Sequence, residues 1–176
     1  MRKVFLQVAV ISGFLTGLGC FLFLLLLYVV GLDGLGQYKL LYMPMYALGI
    51  VGGLKFFRDY RNGGYLSGSR AVMMSLIINL LAAVSYAIML YFLLTLIYKD
   101  VLVLHQQELY NWLLNHRDEY VNQFGIKQYE AQFAEVKNTS AAYVTLIECV
   151  KTILIGFVLA MAVAVILKRN PPPPTT

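Results

Sequence analysis

The sequence predicts an all-α membrane protein: four transmembrane helices in a bundle, with a helical extracytoplasmic excursion between helices three and four. Three observations carry that expectation. Of the 176 residues, 60% are hydrophobic and only 13% charged, whereas soluble domains average about 45–50% apolar and about 25% charged. The apolar residues gather in four long blocks, each able to cross a hydrocarbon core of about 30 Å at ~1.5 Å per residue. The basic residues collect at the ends of those blocks, as they do where they orient a chain in a bilayer.

The first block covers residues 4–30. It opens on Met1-Arg2-Lys3, as a secretory signal does, and Leu18-Gly19-Cys20 resembles a lipoprotein cleavage site. Gly17, however, stands where such a site wants an aliphatic residue. The apolar run also continues through Phe21-Leu22-Phe23 to Val30, past the ~7–15 residues of a signal core. It is therefore expected to remain as a membrane helix. The other spans are expected at about 40–57, 71–98 and 141–167. Together they make one domain over residues 1–170, and residues 171–176 read as a flexible Pro-rich tail.

Residues 99–140 form the one sizeable soluble segment. Leu109, Trp112, Leu113, His116, Tyr120 and Phe124 recur at three- and four-residue steps, which predicts an amphipathic helix ended by Gly125. Tyr129, Phe133 and Val136 mark a second, shorter one. These helices either extend the third and fourth spans outward or fold over the mouth of the bundle.

Orientation follows from charge. Arg2, Lys3, Lys55, Arg58, Arg61, Arg70, Lys168 and Arg169, eight of the 14 Lys and Arg, flank one side of the expected membrane. The long excursion carries four basic residues against six acidic ones. Both termini are thus expected in the cytoplasm. The net charge of +5 is explained by that placement, and nucleic acid is not expected as a partner.

Each block carries a stripe of small or polar residues at helical spacing. Gly13, Gly17 and Cys20 mark the first, Tyr46, Gly49 and Gly53 the second, and Ser75, Asn79, Ala82 and Tyr86 the third. The fourth has Glu148, Thr152, Gly156, Ala160 and Ala164. In lipid, small residues let helix backbones approach closely. Gly13, Gly17, Gly49, Gly53, Gly156 and Ala160 are therefore the candidate packing positions, either within the chain or against a partner protein.

Glu148 and Lys151 are the most informative polar pair. Their i, i+3 spacing puts them on one face inside the fourth span, where each ionisable group costs about 2.5–3.5 kcal/mol on insertion scales. They serve either as an ion or headgroup site or as a self-neutralising pair. Cys20, Tyr46, Tyr86 and Glu148 fall at similar expected depths, and this layer makes either a shallow pocket or a hydrogen-bonded plug. His105 and His116 are too far apart along a helix to share a metal and read as surface residues. No zinc-protease, nucleophile-elbow or phosphate-loop motif is present. Neither catalysis nor a cofactor or metal is expected.

The segment from Gly52 to Gly64 ends the second block with Gly53, Lys55, Phe57, Arg58 and Asp59, followed by Gly63, Gly64 and Ser67. It resembles the domain of unknown function 4199 family, small four-helix membrane proteins in which a Gly-x-Lys-x-aromatic-Arg-Asp stretch and a Gly-rich turn join helices two and three. Gly68 stands where that family has an aromatic residue. The resemblance implies the inner membrane of a Gram-negative bacterium and supplies no activity. Lys55, Arg58, Arg61 and Arg70 either hold anionic lipid phosphates or only set topology. The leading expectation is a non-catalytic accessory or scaffold subunit that binds another membrane protein. The alternative is a small transporter or lipid-headgroup-binding protein that uses Glu148 and Lys151.

Overall fold

The computed structural model describes residues 2–32, 35, 38–97, 99–137 and 139–170. Tyr98, the expected end of the third span, and the Pro-rich tail lie outside the described residues. Helix α1 runs Arg2–Val29. A 3₁₀ turn, Lys39–Tyr42, leads into α2, Met43–Phe56, with Pro44 in the first turn where its missing N–H costs no bond. Helix α2 continues as a π-helical turn, Phe57–Arg61. Helix α3, Gly68–Phe92, ends in a second such turn, Leu93–Ile97. The excursion holds α4, Lys99–Asn115, α5, Arg117–Phe124, and α6, Ile126–Lys137. Helix α7, Ala141–Leu167, is capped by Ser140, whose Oγ accepts the Tyr143 N–H at 3.2 Å.

Four stretches are long and apolar enough to cross a membrane: Lys3–Val29, Leu40–Arg61, Gly68–Leu96 and Ala141–Leu167. The chain is a multi-pass, all-α membrane protein. The second stretch outlasts its apolar block because the π turn carries the charged Arg58, Asp59 and Arg61 onward in helical geometry. That turn closes with Gly64 N–H donating to Arg58 O at 2.8 Å, and Gly63 and Gly64 take φ values of +63° and +84° that favour glycine.

Helix α3 packs along α1 on one side and α7 on the other, and α2 closes against the same two helices. Glycines set how near they come. A Cβ at Gly17 would lie 2.6 Å from the Ala82 carbonyl oxygen, and one at Gly13 would lie 2.7 Å from Leu81 Cβ, so α1 meets α3 almost backbone to backbone. Gly49 is filled by the Thr16 side chain, and Gly53 faces Ser12 and Ile78. Ala160 is fully buried.

One polar node joins three helices. Tyr46 Oη donates to Asn79 Oδ1 at 2.6 Å and lies 2.8 Å from the Asn79 carbonyl oxygen. Asn79 Nδ2 donates to Ile153 O at 3.2 Å. Gly156 makes room for both side chains, since a Cβ there would collide with the Asn79 amide and lie 2.8 Å from Tyr46 Cε1.

The excursion starts as an outward continuation of the third span. Helix α4 follows closely on the π turn of α3, and its Leu102 packs back on the bundle core. Beyond it, Leu113, Tyr129 and Val136 form a separate small core ringed by Leu109, Tyr110, Tyr120, Val121 and Phe133. The expected single helix over Leu109–Phe124 is broken at His116, whose ring stacks on Trp112 and whose Nδ1 lies 2.9 Å from Trp112 O. Gly125, at φ +87°, ends α5.

Substitution of valine at Gly17 or Gly156 is expected to lower the melting temperature in detergent by the equivalent of at least about 2 kcal/mol, through overpacking. Valine at Gly52, where an added Cβ meets nothing within 4 Å, is expected to cost less than about 1 kcal/mol. Equal losses at all three positions would show that these contacts do not set the packing.

Candidate functional site

The alternation of the spans brings the ends of α2 and α7 together with the starts of α1 and α3. The structure thus gathers Lys3, Lys55, Arg58, Arg61, Arg70, Lys168 and Arg169 at one end of the bundle. These residues are not equivalent. Arg58 is engaged: its Nε and Nη2 donate to the two Asp59 carboxylate oxygens at 2.6 and 3.2 Å, and its Nη1 lies 3.4 Å from Leu167 O. It therefore helps satisfy a carbonyl at the C-terminus of α7, where a cation also complements the helix dipole. Beside it, Leu66 and Arg169 exchange backbone hydrogen bonds of 2.7 and 2.8 Å, clasping the α2–α3 hairpin to the chain leaving α7. Lys55, Arg61 and Arg70 are exposed, with the Arg61 guanidinium 5.9 Å from the Phe56 ring centre.

The opposite end holds the more enclosed feature. Lys151 Nζ donates to Glu148 Oε1 at 3.4 Å. The two side chains differ in setting: Glu148 is 8% exposed and Lys151 52%. The carboxylate thus sits at depth and the ammonium at the edge. A cleft of about 280 Å³ opens over them between α4 and α7. Leu35, Leu109, Val144 and Ile147 form its apolar wall, and His105 of α4 joins Glu148 and Lys151 in the lining. His105 is half-buried there, unlike the surface residue expected from sequence.

One turn further into the bundle, Tyr42 and Thr152 hydroxyls lie 3.1 Å apart, and the Tyr42 ring stacks on Tyr86 at 5.8 Å. All three are buried. The layer is therefore a hydrogen-bonded plug on its inner side and a cleft on its outer side. Tyr46, expected in it, is committed to Asn79 instead. Sequence reasoning missed Tyr42, which stands one turn before Tyr46 on the same face and was hidden among the apolar residues that begin α2. It missed His105 because nothing local ties α4 to α7. Among the described residues no group of three or more His, Cys, Asp or Glu could hold a metal ion.

A family model described as a protein of unknown function, DUF4199, matches residues 12–169. The chain belongs to the DUF4199 family. No curated protein and no solved structure matches it. For this DUF4199 protein, the matched region runs from within α1 to the Leu66–Arg169 clasp and includes the cleft and, apart from Lys3, the basic end.

Two comparisons test this geometry. Arg58→Ala is expected to lower the melting temperature, whereas alanine at Lys55, Arg61 or Arg70 leaves it within about 0.5 kcal/mol. A double-mutant cycle of Glu148→Gln and Lys151→Met should give a favourable coupling of about 0.5–1 kcal/mol. A coupling of zero would mean the pair makes no net contribution.

Proposed function

We propose that this DUF4199 protein is a non-catalytic accessory or scaffold subunit of the bacterial inner membrane, with both termini in the cytoplasm, that holds another membrane protein against its α1–α2 face. The observation that carries the reading is a groove of about 440 Å³ on that face, lined by Ser12, Thr16, Gly19, Met45, Gly49 and Gly52. The chain's own helices occupy the space beside Gly13, Gly17, Gly49, Gly53 and Gly156. Gly52 meets nothing within 4 Å, and Gly19 meets only Met45 Cε at 3.9 Å. Intrachain packing therefore accounts for the first set of glycines and not for these two. Small residues on a lipid-facing groove favour close approach of a further helix. The basic end supports the orientation, because Lys and Arg are retained on the cytoplasmic side.

A second reading is favoured by the cleft at the other end: a lipid-headgroup-binding protein or small transporter using Glu148 and Lys151. A buried carboxylate inside a membrane span, in a cleft with a partly exposed ammonium, is a usual setting for polar ligands.

Gly52→Leu puts bulk into the groove from a position whose added Cβ meets nothing within 4 Å. It is expected to reduce co-purification of a bound membrane protein in mild detergent at least tenfold, with the melting temperature unchanged. Recovery of the wild-type chain alone from its native membrane would overturn the scaffold reading.

A further inference from the structure

The second reading above leaves the ligand unnamed, and the lining of the cleft narrows it. Glu148 is rooted roughly 10 Å along α7 from Ala141, at ~1.5 Å per residue. That places it in the first part of the span, short of its midpoint. Lys151 is rooted about 4.5 Å deeper, and its long side chain turns back to bring the ammonium to Glu148, as snorkelling lysines do. Their separation of 3.4 Å is longer than the roughly 2.7–2.9 Å of a strong charge-assisted bond. A ligand offering one charge to each residue can make shorter contacts than this one.

The positions of the two charges set the polarity of that ligand. Beside the carboxylate the cleft is lined by the aliphatic Leu109, Val144 and Ile147, with His105 across from them, and an apolar wall strengthens the attraction for a cation. The described lining supplies no phenyl, phenol or indole ring, whereas quaternary ammonium groups are held by aromatic cages. A primary ammonium, with N–H donors for a carboxylate, fits this wall better. Lys151 is exposed beside Leu154, which is 64% exposed and faces outward, so the anion that meets Lys151 approaches from the membrane side.

We propose that the cleft between α4 and α7 binds a zwitterion of the phosphoethanolamine class, with its primary ammonium on Glu148 and its phosphate on Lys151; this deepens the headgroup-binding reading and rests on it. His105 brings a polar group from α4 to the rim, so the excursion is part of the site. The lipid phosphatidylethanolamine and free phosphoethanolamine share this chemistry.

Native mass spectrometry of the full chain in detergent separates the cases, with phosphatidylethanolamine, phosphatidylcholine and phosphatidylglycerol as probes. The expected result is at least tenfold stronger retention of phosphatidylethanolamine than of the other two. Glu148→Gln should abolish the preference over phosphatidylcholine, and Lys151→Met should weaken retention of phosphatidylethanolamine. Equal retention of the ethanolamine and choline lipids by the wild-type chain, a comparison that needs no variant, overturns the primary-ammonium assignment but leaves headgroup binding standing. Retention that neither substitution alters, in variants with wild-type melting temperatures, overturns both. Displacement of the lipid by free phosphoethanolamine supports the same site with a soluble ligand; resistance to displacement supports the lipid.

Discussion

Asn79 lies midway along α3 with 3% of its surface exposed, where neither water nor lipid offers its amide a partner. Its polar atoms are satisfied by Tyr46 of α2 and by the Ile153 carbonyl of α7, and the arrangement fits only because residue 156 has no side chain. Apolar contacts alone tolerate sliding between helices, since lipid tails solvate leucine as well as a neighbouring leucine does. A buried amide does not tolerate it. Once Tyr46, Asn79 and Gly156 are in register, Tyr42 falls opposite Thr152 one turn away, and Glu148 falls one turn beyond that at the floor of the cleft.

The two ends of the bundle use charge differently. At the basic end Arg58 is consumed by structure, holding Asp59 and reaching the last turn of α7, while its neighbours remain in solvent. Arg58 and Asp59 of the α2–α3 hairpin therefore have a mechanical explanation. At the other end the Glu148–Lys151 pair lines an open cleft shared by α4 and α7, with its carboxylate buried and its ammonium exposed.

Much of this was legible in the sequence. Spans in lipid must be apolar and helical, so composition and length suffice to find them. The stripes of small residues stood out because nothing but close packing or a partner explains Gly13, Gly17 and Gly156 among leucines. The departures have physical causes. Helix α2 outran its apolar block because a π turn can carry charged residues past the membrane edge without ending the helix. The break at His116 depends on a stacked Trp112 ring and a side-chain bond to a backbone carbonyl, which periodicity does not register. His105 reached the cleft through the tertiary path of the excursion, and Tyr42 reached the plug through the partner it meets on α7. Both depend on contacts between distant segments.

The Leu66–Arg169 clasp has a bearing on how such a chain is assembled. Its two backbone bonds join the hairpin after α2 to the chain leaving α7, so most of the sequence lies between the partners. They share a face when α3 and α7 have both crossed, with the intervening excursion on the far side, or when neither has. A chain threaded with one crossing missing would hold these groups on opposite faces of the bilayer. The clasp is thus a late bond, one that cannot close in a chain with either of these crossings missing alone.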